Sequence, residues 1–446
     1  MGEDYFDWTM ELFDPERAFE KPEVLEGVRV LDLTMVIHGP ETTSLLAEFG
    51  AEVIKIEPPE MGDLIRSVSL WARFWKDASL GAMWVNRNKY HVSMDLKNPK
   101  GKDLFLKMVK KSDVIVENFR PGVMDRLGLS YRHLRDVKDD IIYISLSGYG
   151  QWGERSNWPS FDASGQAMSG ASAVSGYEGR LPLRLPHYPG DFINATVGFM
   201  CILIALYHRE KTGKGQYIDI SQVETLPRIM DAVYTYVAMK GRNRSRTGNR
   251  DPNLSPANMY TTSEGEHVVI SVLSQREFEG LCRAMNAEHL LSDSRFSSIS
   301  SRLKRENAEE LDRIVAEWVS GRTLNEVIDA SKTHGFSASH VRRSFDVYHD
   351  EHMRARKSVW HYTDPILGDM VAAGPPVKMS GTPARIRWSV YPVGYHNRYV
   401  LKRILGLSED EIESLVREGV IAYWADFIGR KPPSDFDPES DPVFTW

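Results

Sequence analysis

The chain has 446 residues, of which 42% are hydrophobic and 26% charged, and its net charge is −7 at pH 7. This composition is that of a globular protein, it excludes a disordered or fibrous chain, and the length is enough for two or three structural units. Without excess positive charge, binding to nucleic acid or to an anionic membrane is not expected, and an acidic N-terminus that lacks the regions of a signal peptide favours the cytoplasm.

The first regular pattern is a strand, a helix and a second strand. GVRVLDLT (27–34) is typical of a buried strand. GPETTSLLAEFG (39–50) is typical of a helix that has Pro40 near its start and Gly50 at its end. AEVIKIE (51–57) is a second strand candidate. A helical crossover of this kind makes the two strands parallel.

The same pattern then recurs. YHVSMDLK (90–97) alternates like a strand, PKGKDLFLKMVKKS (99–112) has one apolar helical face, and DVIVENF (113–119) is an apolar strand candidate. DDIIYISLSGYG (139–150) is a further strand that ends in a glycine-rich turn. Residues 25–150 therefore predict an open, doubly wound α/β sheet.

The second half of the chain differs from the first in its pattern of predicted elements. DFINATVGFMCILIALYHRE (191–210) predicts a helix that is apolar almost all round and hence central, and a strand follows over 216–225. Residues 227–255 are rich in Arg and Asn and are typical of a linker. From 256 to about 345, a hairpin and several polar amphipathic helices predict a smaller second domain, and 401–421 predicts a further helix pair.

Asp191 stands at the beginning of the apolar helix and allows two interpretations. A carboxylate at this position caps the helix and is stabilised by the helix dipole, and the position taken alone favours this role. The other interpretation is a nucleophile, because a helix N-terminus keeps a carboxylate ionised and backbone amides there stabilise an oxyanion.

The charged residues after the predicted strands suggest a ligand site without metal. Lys97, Arg120 and Arg126 fall at or near strand ends, where α/β sheets bind ligands, although each alone is typical of a solvated surface charge. The histidines and the two cysteines, Cys201 and Cys282, form no metal-binding pattern. We therefore expect no metal.

Six segments occur in order along the first half of the chain: GVRVLDLTMVIHGPETTSLLAEFGAEVIKIEPPEMGD, NRNKYHVSMDLKNPKGKDLF, DVIVENFRPGVMDRLGLSY, SLSGYGQWG, SFDASGQAMSG and GDFINATVGFMCILIALYHREKTGKGQYIDIS. Together they resemble the family III CoA-transferases, a family that includes formyl-CoA, carnitine and bile-acid CoA-transferases. The resemblance runs from about residue 25 to 230 and more faintly to the end of the chain.

The resemblance implies an α/β fold in which a Rossmann-like large domain is built from both chain ends, beside a small α+β domain, in an interlocked ring-like dimer. The corresponding segments are 1–226 for the first part of the large domain, 227–255 for a linker, 256–345 for the small domain, 346–375 for a second linker and 376–446 for the return to the large domain. The partner ring is either an identical chain or a related one.

The resemblance also implies the site. Asp191 matches the catalytic aspartate, with coenzyme A as a substrate rather than a permanently bound cofactor. The family's CoA contacts fall on Ile37, His38, Met94, Asp95, Leu96, Lys97, Asn118, Phe119, Arg120 and Arg126. Its substrate pocket falls on Phe161, Asp162 and Gly190.

Alternatives and departures remain. Pro58 stands where formyl-CoA transferase has an arginine, and the stretch after 225 is closer to the carnitine and bile-acid branch, which suggests a larger organic acid. An α-methylacyl-CoA racemase has the same fold but needs a histidine where this chain has Phe161. A non-catalytic subunit of a heteromeric transferase is the third possibility, and Asp191 argues against it.

Overall fold

The computed structural model describes residues 4–59, 61–66, 74–75 and 78–423. The chain divides into two compact units. The first comprises Met1–Ala171, Leu185–Asp231 and Glu351–Trp446, and the second comprises Ser172–Arg184 and Ala232–Asp350. The end of the segment predicted to return to the large domain, residues 424–446, lies outside the described residues.

The strands, in chain order, are β1 (Arg29–Asp32), β2 (Glu52–Glu57), β3 (Tyr90–Ser93), β4 (Val114–Glu117), β5 (Ile142–Ser147), β6 (Tyr217–Ser221), β7 (Ala257–Thr261), β8 (His267–Ser271), β9 (Ser337–His340), β10 (Val359–Asp364) and β11 (Gly368–Ala373). Two-residue strands at Phe74–Trp75 and Ala78–Ser79 pair with each other.

The helices are α1 (Tyr5–Leu12), α2 (His38–Glu48), α3 (Leu80–Val85), α4 (Pro99–Val109), α5 (Val123–Arg126), α6 (Tyr131–Leu134), α7 (Asp162–Met168), α8 (Ala171–Val174), α9 (Pro189–Thr212), α10 (Gln222–Thr225), α11 (Val233–Lys240), α12 (Gln275–Ala284), α13 (Ile299–Arg302), α14 (Arg305–Ser320), α15 (Leu324–His334), α16 (Ser344–His349), α17 (Glu351–Ala355), α18 (Asn397–Val400) and α19 (Glu409–Arg417). Single 3-10 or π turns lie at Glu16–Glu20, Leu64–Arg66, Leu226–Ile229, Glu288–Leu291 and Leu401–Leu405.

The first unit is built on a six-stranded sheet in the order β3-β2-β1-β4-β5-β6. Every neighbouring pair is parallel, so the predicted α/β sheet is confirmed. The chain adds strands outward from β1 to β2 and β3 and then returns to place β4 on the other side of β1, so the order of strand addition reverses between β1 and β4. These two strands are hydrogen-bonded neighbours. Ligands of open α/β sheets bind beyond the strand carboxyl ends at this reversal, and the candidate site is found there.

Alternate residues of the central strands enter two apolar cores on opposite faces of the sheet. Leu31 and Ile115 pack in one core with Phe105 of α4. Val30 and Val114, their neighbours in sequence, belong to the other core. Because side chains alternate along a strand, two consecutive apolar residues in each strand require helices on both faces, which is why these strands read as continuous hydrophobic runs.

Helix α9 was predicted to be apolar almost all round and hence central, and the structure buries one face of it only. That face packs on α2 and β5. The helices approach closely at Gly198, where a Cβ atom would lie 3.0 Å from Leu146 and 3.1 Å from Thr42. The opposite face exposes Ile204 and Tyr207, which is 62% accessible. Among the described residues α9 is the one helix long and apolar enough to cross a membrane, a test that the core helix of a soluble protein also passes.

The second unit contains an antiparallel sheet in the order β9-β8-β7. Helices α12, α14 and α15 contribute to its own core, in which Phe278, Leu311 and Val327 are fully buried. The predicted hairpin of this region corresponds to β7 and β8, and Ser274 begins α12 with a capping box to Glu277. Serine and glutamate at this spacing satisfy two backbone N–H groups at the helix start.

The two segments expected as linkers contain regular structure. Helix α11 lies in 227–255, and the 346–375 segment contains α17 and the antiparallel hairpin of β10 and β11. Trp360 of the hairpin is buried against Ala18 and Ile386 in a small core of the first unit. This tertiary packing fixes the hairpin, and the local composition of the segment does not predict it.

Candidate active site

A cavity of about 500 Å³ opens at the carboxyl edge of the parallel sheet. Its walls come from the residues that follow β1, β2, β3 and β4, together with α5. They are Leu33, Thr34, Met35, Ile56, Glu57, Pro58, Pro59, Met61, Asp63, Met94, Asp95, Leu96, Lys97, Phe119, Val123, Leu127 and Gly419. Five of the ten residues predicted to contact CoA, Met94 to Lys97 and Phe119, therefore line one cavity.

The other predicted CoA contacts lie beside this cavity or away from it. Asn118 bonds both backbone groups of Met35, donating to its carbonyl oxygen at 2.7 Å and accepting from its N–H at 2.8 Å. Asn118 therefore holds a wall residue in place. Arg120 and Arg126 are exposed and are not among the lining residues. Lys97 is the predicted cation that the structure brings to the cavity.

Buried ion pairs brace the turn that follows β1. Lys55 lies 2.9 Å from Asp63 and donates to the Thr34 carbonyl oxygen at 2.7 Å. Asp63 in turn accepts from the N–H of Val36, a residue held at φ 70°. Lys89 pairs with Asp32 at 3.0 Å below the same turn. A turn in this left-handed conformation persists only where its surroundings fix it, and these buried partners do so.

Glu117 at the end of β4 orients another cavity wall. Its carboxylate accepts from the N–H of Phe119 at 2.8 Å and from the hydroxyl of Ser145 on β5. Burial raises the pKa of Glu117 to about 7. This carboxylate was not singled out from the sequence, although it stands in the ENF segment that was.

The turn after β1 also reaches the head of α9. His38 begins α2, and its Nδ1 lies 3.1 Å from the side-chain nitrogen of Asn194. Asn194 follows Asp191 by three residues, close to one helical turn. Burial lowers the pKa of His38 to about 4, so the imidazole is neutral at physiological pH. Ile37 belongs to the apolar cluster on which Phe192 of α9 packs. The turn after β1 and the first turn of α9, which carries Asp191, are therefore neighbours.

Asp191 lies in the first turn of α9 and is 6% exposed. Burial, followed by the charge of Asp162, raises its pKa to about 7, while a hydrogen bond from Gln222 lowers it. Proline at the first position and the left-handed Tyr188 before it set the start of the helix. A desolvated carboxylate that titrates near neutrality is both available in its charged form and reactive, as nucleophilic chemistry requires.

Asp162 braces the backbone immediately before Asp191. Its Oδ1 accepts from the Gly190 N–H at 2.8 Å, and its Oδ2 accepts from Gln166 at 2.6 Å. A Cβ atom at position 190 would lie 3.0 Å from Asp162 Oδ1, so glycine permits this approach. Phe161, at the N-cap of α7, is 67% exposed. Of the predicted pocket residues, Asp162 and Gly190 are therefore bonded to each other beside Asp191, whereas Phe161 is exposed.

Gln222 is another site residue that sequence analysis missed. Its Nε2 donates to Asp191 Oδ1 at 2.5 Å, and the residue is 2% exposed. Gln222 follows β6 directly and so stands at the carboxyl edge of the sheet. Its place after a predicted strand was the available signal, but a glutamine there carries no motif of its own. No group of three or more potential metal ligands occurs among the described residues.

Comparisons with known proteins identify the family of the chain and proteins that are similar to it. The sequence model of CoA-transferase family III matches residues 25–397. The chain is 34% identical to succinyl-CoA–D-citramalate CoA-transferase of Chloroflexus aurantiacus, over 90% of this chain and 98% of that protein. It is also 34% identical to the alpha subunit of succinyl-CoA–L-malate CoA-transferase of Chloroflexus aurantiacus, over 89% of this chain and 92% of that protein. A CaiB/BaiF family protein from Brucella suis has the same fold, with a TM-score of 0.74 and 24% identity over 85% of this chain and 99% of that structure.

Proposed function

Because the chain belongs to CoA-transferase family III, we propose that it moves CoA from an acyl-CoA to a carboxylic acid through covalent intermediates on Asp191. The observation that carries this proposal is the environment of Asp191, a buried carboxylate at a helix head with a pKa of about 7. It is held between a hydrogen-bond donor, Gln222, and the braced Gly190 turn.

The reaction proceeds in four displacements. One oxygen of Asp191 attacks the thioester carbonyl of the donor and expels CoA thiolate, which leaves a mixed anhydride. The thiolate attacks the aspartyl carbonyl, releases the donor acid and forms an aspartyl-CoA thioester. The acceptor carboxylate attacks the same aspartyl carbonyl and expels the thiolate again. The thiolate then attacks the new acyl carbonyl, and the products are a new acyl-CoA and free Asp191.

This sequence retains the free energy of the thioester, provided that water stays out of the site. Two features support that exclusion of water. Asp191 is buried. The ring of its neighbour Phe192 stacks on Trp84, with 4.5 Å between the ring centroids. Water that reached the anhydride would hydrolyse it and waste the donor.

We propose that CoA occupies the cavity at the sheet edge. Met94 to Lys97 and Phe119 would contact it directly, with Lys97 beside its phosphates. Ile37 and His38 would lie between the cavity and Asp191, since this turn contacts the head of α9. Arg120 and Arg126 would contribute at the entrance, because Val123, the first residue of α5, and Leu127, the residue after this helix, line the wall.

Transfer is favoured over racemisation by the surroundings of Asp191. A racemase requires acid/base groups on both sides of the α-carbon. Phe161 cannot accept a proton, and both carboxylate oxygens of Asp162 are already bonded within the protein. A non-catalytic subunit is disfavoured because the chain keeps a nucleophile with its supporting contacts.

We further propose an interlocked dimer with an identical or related chain. The apolar outer face of α9, with Ile204 and Tyr207 exposed, is the kind of surface that an obligate partner covers. One relative is named as the alpha subunit of an enzyme, which keeps a related partner open beside an identical one. Light scattering that finds a dimer at micromolar concentration supports this arrangement, and a monomer contradicts it.

The acids exchanged are proposed to be small dicarboxylic acids. The sequence suggested an acid larger than oxalate or formate, and two relatives are named for transfer from succinyl-CoA to citramalate or malate. A screen of donors and acceptors, read by mass spectrometry of the acyl-CoA products, distinguishes these classes.

Replacement of Asp191 by asparagine tests the proposed function. Asp191→Asn is expected to lose transfer while it retains CoA binding, because the amide is isosteric but cannot attack a thioester. Asp136→Asn is the matched control, since the Asp136 side chain is 81% exposed and belongs to no site. Near-normal turnover by Asp191→Asn contradicts the assignment.

A further inference from the structure

The two carboxylate oxygens of Asp191 have different environments, because Gln222 binds one of them. Its side-chain Nε2 lies 2.5 Å from Oδ1. We propose that Gln222 is the oxyanion donor for the aspartyl carbonyl, with Oδ2 as the attacking oxygen and Oδ1 retained as the carbonyl oxygen of all three covalent intermediates, the two anhydrides and the thioester. This inference rests on the proposed function and adds a second catalytic residue to it.

The amide of Gln222 is oriented for this role before any substrate binds. The Ser160 hydroxyl donates to Gln222 Oε1 at 3.2 Å, which turns the Nε2 end of the amide toward Asp191. Gly165 packs so closely that a Cβ atom there would lie 3.0 Å from the Cβ of Gln222 and 3.1 Å from its Oε1. The side chain is buried, so it is held by neighbours on both sides. Preorganised donors of this kind stabilise charge without reorganisation during the reaction.

Charge develops on Oδ1 in two of the four displacements. When CoA thiolate attacks the aspartyl carbon, the electron pair of the C=O bond moves onto Oδ1, and it returns as the donor carboxylate leaves with Oδ2. When the acceptor carboxylate attacks the thioester, the pair moves onto Oδ1 again and returns as CoA thiolate leaves. The N–H of Gln222 faces this atom throughout, at hydrogen-bond distance.

The site has a particular need for such a donor. The carboxylate of Asp162 is bonded to the N–H of Gly190, the residue next to Asp191, so a negative charge already lies close to the reacting carbon. A second negative charge on Oδ1 is repelled by it in a buried environment. The amide N–H of Gln222 offsets this repulsion.

Gln222→Met tests the proposal, because methionine has a similar length and lacks the donor. The expected result is a kcat that is 10²–10³-fold lower at pH 8.5, the loss typical of a removed oxyanion donor, with the KM for acyl-CoA changed by less than twofold. Gln216→Met, which alters a glutamine at the other end of β6, is the control and should retain wild-type kinetics. Gln222→Ala is measured beside it as a second variant.

Mass spectrometry of the intact protein after incubation with acyl-CoA alone identifies the affected step. A variant that accumulates the acyl group, or a CoA adduct that the acceptor consumes 10²–10³-fold more slowly, supports the proposal. A kcat within threefold of wild type, an adduct consumed at the wild-type rate, a protein that carries neither group, or loss of CoA binding in both variants overturns it. If the wild type itself carries no adduct, the proposed function fails instead.

Discussion

The raised pKa of Asp191 predicts how transfer depends on pH. Attack on the thioester requires the ionised carboxylate, and its pKa is about 7, where an ordinary aspartate has 3.8. With a pKa near 7 the ionised fraction is about nine tenths at pH 8 and about one tenth at pH 6. The value of kcat/KM for acyl-CoA should therefore fall about tenfold between these pH values, whereas an aspartate of ordinary pKa would give no measurable change.

The assay follows acyl-CoA formation from pH 5.5 to 8.5 with an acceptor acid that is fully ionised throughout. Because the phosphate monoester of CoA titrates near pH 6, the profile is repeated with an acyl-dephospho-CoA. Asp162→Asn removes the charge that, after burial, raises the pKa of Asp191, so its rising limb should move to lower pH. A wild-type profile that is flat between pH 6 and 8 would refute this assignment of the nucleophile.

Three further predictions concern the cavity, the fold and the reaction. Lys97→Met should weaken CoA binding about tenfold in calorimetry, and Arg126→Met should weaken it less, because Lys97 lines the cavity and Arg126 does not. Unchanged CoA affinity in both variants contradicts a contribution of these cations to binding. Gly101→Ala places a Cβ atom 2.1 Å from the carbonyl oxygen of Asp95 and should lower the free energy of unfolding by about 1–3 kcal/mol, measured by thermal unfolding. Gly381→Ala is the control, because its Cβ atom meets nothing within 4 Å. Equal stabilities of the two variants contradict the close packing at Gly101. A 2-methylacyl-CoA should keep its α-proton in deuterated water, and rapid exchange with racemisation would reveal a second base.

The parallel sheet could be predicted because its signals are local. Runs such as Val114–Glu117 carry consecutive apolar residues, and prolines and glycines mark the helix that precedes β2. The placement of Met94 to Lys97 and Phe119 around one cavity then follows, because carboxyl ends of neighbouring parallel strands meet at one edge.

Other features depend on contacts between residues that are distant in sequence. Gln222 meets Asp191 across 31 positions, so no local pattern links them. Hairpin β10–β11 is fixed by the burial of Trp360 against residues from both ends of the chain. The exposure of one face of α9 could not be predicted from its composition, because the exposed face carries the same apolar residue types as the buried one.

The most direct test of the account is to locate the covalent intermediate. The wild-type protein is incubated with acyl-CoA in the absence of acceptor, digested at low pH and analysed by mass spectrometry. The account predicts a CoA thioester on the peptide that contains Asp191, lost on addition of an acceptor acid with formation of the new acyl-CoA, and absent from Asp191→Asn. Transfer without any covalent adduct, or an adduct on a different residue, would contradict it.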